Sequence, residues 1–465
     1  MTITLDAPVA VDPDTAFDAL RAELTGSLFT PDEPEYDAYV SPWNLAVPMR
    51  PAAVVAVRTA ADVAATVRFA GACGYTAGVQ ATGHGAERSL AGHLLVVTRD
   101  LDECTVHPEG WARVGAGVKW ARLVAAAAPY GLAGVNGSTT DVGIVGYTTG
   151  GGVGPLARSY GINADRVRAF EVVTGDGVFR RVTAETYPDL FFALRGGKGA
   201  AGIVTALEFD LIQLPTFYGG AVYFDAADAA RVIDRWRGWA DELPELGTTS
   251  FVLFQLPPLP EIPAPLAGRM TLGVRFVWTG DPAEGARLLD QVRAVAPVVL
   301  DDAALKPYTA IDSVHADPVD PMPVVDPAIL LDGFPAEAAD RLLAVAGHGS
   351  GSPQVMVEVR HLGGAYAREG AHPSAFSHRA ARFSVLTVGM AVDEDSAAVA
   401  LAHAHRLFGA LADWDTGGVW PNFGIPHDAA SARRCYDEPT LARLRQVVDT
   451  YDPQGVLQAG AYTRA

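Results

Sequence analysis

Three glycine-rich segments, at residues 79–86, 137–154 and 195–204, constrain this chain more than any other feature. Glycine carries no Cβ and reaches positive φ, so backbone amides in such loops approach a ligand closely and suit a pyrophosphate. One histidine, His84, stands inside the first loop. The run Gly150-Gly151-Gly152-Val153-Gly154 lacks the spacing of a GxGxxG dinucleotide turn and falls in the middle of its lobe, which sets that reading aside.

At 465 residues the chain exceeds a single core, and two or three lobes are expected. Val63, Val67 and Ala70 predict a helix capped by Thr59 and stopped by Gly74. A strand is predicted at 94–98, a helix at 118–128, and a hairpin from 170–174 and 178–182 turning at Gly175-Asp176-Gly177. Leu207, Phe209 and Leu211 alternate with acids in a half-buried strand that ends at Pro215. Hairpins without a regular strand-helix-strand repeat predict an α+β fold. The expected domains are 1–215 (core about 46–215), a second lobe at 216–412, and a segment 413–465 returning to the first.

The formal charge of −19 excludes phosphate backbones and anionic membranes as expected partners. Cys73, Cys104 and Cys435 are scattered and odd in number, which fits a reducing compartment and offers no metal site. The first residues carry no basic and apolar signal pattern, and no apolar run approaches the ~20 residues of a membrane span. A cytoplasmic monomer or homodimer is expected.

Four further motifs occur in order: Gly83-His84, the VGxxGxxxGGGxG from Val142 to Gly154, PDLFFALRGG from Pro188 to Gly197, and GIVT from Gly202. With them the chain resembles the FAD-linked oxidases of the vanillyl-alcohol oxidase superfamily, in the berberine-bridge-enzyme-like group. The resemblance implies a two-lobed PCMH-type FAD-binding domain and a substrate domain whose antiparallel sheet is flanked by helices. It implies FAD bonded covalently through His84 to the flavin 8α carbon. Flavin contacts are implied at Thr82, Gly83, Gly85, Ser138, Thr139, Val142, Gly143, Gly146, Tyr147, Gly150, Gly151, Gly152, Gly202, Ile203, Val204 and Asn422.

The departures from that pattern carry expectations too. Thr139 stands where many relatives have a cysteine bonded to flavin C6, and a hydroxyl cannot replace a thiolate there, so a single link is expected. Val142 aligns with an oxygen gate, and Tyr147 with a histidine near the flavin. Gln80-Ala81-Thr82-Gly83-His84 replaces RGGGH, which shifts phosphate contact to backbone amides and Thr82. Trp420 replaces the tyrosine of a YxN element and leaves Asn422 as a flavin contact.

The implied activity is an oxidase: hydride passes from a C–H of a small or medium organic substrate to flavin N5, and dioxygen becomes hydrogen peroxide. Oxidative cyclisation or rearrangement in secondary metabolism and a flavin-binding protein without turnover are the alternatives. The expected bases are Tyr366, His361 and His378, from the stretches 357–366 and 376–379.

Overall fold

Ala53–Ala56 and Leu94–Val97 are apolar and buried along their whole length, as in strands covered on both faces. In the computed structural model, which describes residues 13–86 and 89–464, they pair in parallel, and Ala77–Gln80 pairs in parallel with the second. Parallel pairing here departs from the hairpins expected. The helix Ala60–Cys73 makes the crossover; Thr59 closes a capping box with Asp62, and Gly74 ends it in the left-handed conformation. Residues 1–12, read above for a signal segment, lie outside the described residues.

A five-stranded antiparallel sheet follows, centred on Gly202–Asp210. The predicted hairpin is there as Val167–Thr174 and Phe179–Val182. The helix expected at 118–128 runs from Trp120 to Ala127.

The largest sheet has nine strands among the described residues, beginning with Thr216–Asp225 and containing Gly247–Gln255, Met270–Trp278, Gln354–His361 and Phe383–Met390. Period-two alternation divides its faces. Phe251, Val274, Val357 and Val359 pack outward on Trp236, Leu289, Leu342 and Leu407 of four helices. Met356, Arg360, Leu386 and Val388 turn the other way, into a cavity. Among the described residues no helix is long and apolar enough to cross a membrane.

After Trp420 the chain returns to the first sheet, where Leu457 bridges to Ala77. Asp452 fixes this return by accepting from the backbone N–H groups of Val456 and Leu457. Among the contacts that tie the loops of the first half to the later part of the chain, Asn44 Nδ2 donates to the Val324 carbonyl, and Thr140 donates through its N–H and its hydroxyl to Asp312.

Candidate functional site

The glycine loops, the end of Ala77–Gln80, the start of Gly202–Asp210 and the inner face of the nine-stranded sheet enclose about 1040 Å³. That is at the top of the range for small-molecule and cofactor sites.

His84 lines this cavity, with its Nδ1 3.1 Å from Thr82 Oγ1 and its ring stacked on Trp43 at 4.4 Å between centroids. The Thr82 hydroxyl is thus engaged with the histidine. Burial lowers the imidazole pKa to about 4, so the ring is neutral at pH 7. Its Nε2 is buried and has no hydrogen-bond partner among the described residues.

The second loop is shaped as a cradle. A Cβ at Gly146 would meet nothing within 4 Å and one at Gly143 nothing closer than 3.6 Å, so any larger side chain would project into the space the glycines leave open. A Cβ at Gly150 would fall 2.1 Å from Asn422 Oδ1. That closeness lets Asn422 Nδ2 donate to the Tyr147 carbonyl at 3.0 Å. The third loop docks on the second, since the N–H groups of Gly196 and Lys198 both donate to the Thr149 carbonyl.

Thr82, Gly83, Gly85, Ser138, Thr139, Val142, Gly143, Gly146, Tyr147, Gly150, Gly202, Ile203, Val204 and Asn422 all line the cavity with His84. Gly151 and Gly152 do not, and are corrected to packing positions. Their φ angles of +107° and +80° need glycine, and a Cβ would strike Phe376 at the first and Tyr147 at the second. The Thr139 hydroxyl accepts from the Asp141 N–H. Tyr147 is buried, and its hydroxyl has no partner among the described residues.

The three expected bases are a correction, because none lines the cavity. The Tyr366 hydroxyl is fully buried, donates to the His378 carbonyl and accepts from Trp420 Nε1; burial raises its pKa. His361 faces the Arg158 guanidinium, and burial together with Arg158 and Arg382 lowers its pKa to about 3. His378 Nε2 donates to the Arg434 carbonyl at 2.7 Å. The sequence shows these residue types but not which side of a wall they occupy.

Arg360, Asp326, Trp43 and Lys198 line the cavity and were missed. Arg360 was within reach: alternation against the outward-facing Val357 and Val359 puts Met356, Glu358 and Arg360 on the other face. Glu358 is fully buried and accepts from Ser250, Arg275 and Arg360. Despite its burial, Arg360, Arg275 and His315 hold its carboxyl well below the usual range.

An FAD binding domain matches residues 51–183, the span that carries the first two glycine loops. (R)-6-hydroxynicotine oxidase of Paenarthrobacter nicotinovorans is 32% identical over 42% of this chain, and the match spans 44% of that relative's length. The fold extends further. The structure of 6-hydroxy-D-nicotine oxidase from Arthrobacter nicotinovorans superposes with a TM-score of 0.80 at 23% identity, covering 94% of this chain and 97% of the other. Physcomitrella patens BBE-like 1 gives 0.81 at 20% identity, covering 95% and 97%.

The fold is that of the PCMH-type FAD-binding proteins, with an FAD binding domain and an antiparallel sheet facing it. Within that fold, the chain carries an FAD binding domain and is similar to FAD-linked oxidases, among them (R)-6-hydroxynicotine oxidase, and in fold to a berberine-bridge-enzyme-like protein.

Proposed function

We propose that the protein is an FAD-dependent oxidase of a small or medium organic molecule, with its cofactor bonded through His84 alone. The observation that carries this reading is the unpartnered, buried Nε2 of a neutral imidazole at the wall of the cavity that the glycine loops border. With the ring proton on Nδ1 toward Thr82, Nε2 keeps the lone pair that a bond to the flavin 8α carbon needs. Trp43 and Thr82 fix the ring plane, and the engaged hydroxyl of Thr139 supplies no second link.

Bound FAD would supply a two-electron acceptor at N5, with dioxygen as the final oxidant and hydrogen peroxide as the product. The chain contributes the walls. Met356, Leu386 and Val388 exclude water from the sheet side, and Arg360 adds a cation held by Glu358. Such a surface fits a partly apolar alcohol, amine or phenol.

The test has two parts. Acid-precipitated protein should stay yellow and His84→Ala should release the colour; FAD in the supernatant of the unmutated protein would refute the bond. A panel of alcohols, amines, sugars and phenols, mixed anaerobically, should contain a compound that bleaches the flavin and yields peroxide on return of oxygen. A panel that leaves the flavin oxidised overturns the oxidase reading.

A further inference from the structure

Removing hydride from a carbon beside an O–H or N–H requires a nearby acceptor for the proton. Tyr366, His361 and His378 stand outside the cavity, and Glu358 is occupied by two arginines and a serine. Of the other carboxyls that line the cavity, Asp301, Asp302 and Asp317 face Arg293, Lys306 and Arg275, and Glu261 stands on an exposed loop; the cavity histidine His315 is held by Glu358. That leaves Asp326, which has no cationic partner among the described residues. Asp326 lies between the strands Val324–Val325 and Ala328–Leu331, and both Val324 and Asp326 line the cavity, as alternation requires.

Its surroundings are apolar. Val325 pairs with Gly389 and Ala328 with Leu386, which sets Asp326 beside Val388, itself paired with Met356. The strands packed against it, Val324–Val325, Ala328–Leu331 and Phe383–Met390, contain no ionisable residue. The charged groups of the next strand, Glu358 and Arg360, are bonded to each other, and His427 lines the same cavity. No other residue donates a hydrogen bond to the Asp326 carboxyl among the described residues. The side chain is exposed to the open cavity, and the walls that enclose that cavity raise its pKa to about 6 against the hydrogen bond from its own backbone N–H, which suits proton transfer near neutral pH.

We propose that Asp326 is the proton acceptor of the reaction. Its carboxylate takes the proton of the substrate's hydroxyl or amine while the adjacent C–H leaves as hydride. The substrate carbon loses two electrons and forms a C=O or C=N bond, and those electrons reduce the bound flavin. This inference rests on the oxidase reading above.

The holoenzyme and its Asp326→Asn and Asp326→Glu variants decide it by two measurements. The first is the melting midpoint from pH 4 to pH 8. Ionising a carboxyl so enclosed destabilises the fold, so Asp326→Asn should gain on the wild type as pH rises through about 6 and show no pH-dependent gain below about 4. The second is anaerobic flavin reduction by the panel compound that bleaches the wild type fastest. Asp326→Asn should be slower by ~100-fold or more and lose the pH dependence, with Asp326→Glu retaining part of both. Unchanged reduction in Asp326→Asn, or a melting difference flat with pH, overturns the assignment. If no compound bleaches the wild type, the oxidase reading fails by itself, and the melting series still reads the ionisation of Asp326.

Discussion

His84 has one ring nitrogen held by Thr82 and the other buried without a partner, so its chemistry follows from position as much as from residue type. Because Thr139 is engaged with the Asp141 N–H, peptide mapping should find flavin on one peptide only. Val142 lines the same cavity. Val142→Leu should slow reoxidation by dioxygen while leaving anaerobic reduction nearly unchanged; equal slowing of both would mean disturbed packing, which an added methylene does at ~1–3 kcal/mol. The buried histidines set an acid limit. In the fold, His361 has a pKa near 3, below the 6.5 of an exposed ring, so the unfolded chain binds the proton first. Stability from this residue is complete above pH 6.5 and falls as pH drops toward 3. His361→Gln should flatten that decline, by about 3 kcal/mol at pH 4 in denaturant melts. At this scale the sequence was informative where glycines and a histidine share one loop. It was misleading at Tyr366 and His378, because burial and hydrogen-bond partners depend on segments far away in the chain.

The strand Gln354–His361 shows where a pattern stops being informative. Its alternation is visible, and so are its two faces. Its neighbours are not: Glu358 meets Arg275 and Ser250 across strands 83 and 108 residues away. Register brings those groups together, and no local signal encodes it. Glu358→Ala would strand the buried Arg275 and should cost roughly 3–5 kcal/mol, read by chemical denaturation. Asp326 was hidden for the same reason, since a lone aspartate between two short strands looks like a turn residue. The parallel strands Ala53–Ala56, Leu94–Val97 and Ala77–Gln80 were also missed as a sheet, although the continuous apolar runs of the first two are what two-sided burial requires. The helix between them was legible because Thr59 and Gly74 mark its ends chemically.

Across the whole molecule, the cavity has no single owner. The first glycine loop supplies His84, the nine-stranded sheet supplies Arg360 and Asp326, and the last stretch supplies Asn422 and Gln458. Asp312 secures the second loop from the far side by accepting from Thr140. Asp312→Ala should cost about 1–3 kcal/mol and speed amide exchange through residues 137–143. The return of the chain to Ala77, through Leu457, orders events in time as well as in space. Synthesis proceeds from the N-terminus, and early segments begin to fold first. A ribosome releases His84 long before it releases Asn422 and Gln458. The nascent protein therefore carries the proposed attachment histidine in a half-built vessel, and on that reading cofactor capture belongs to the finished polypeptide.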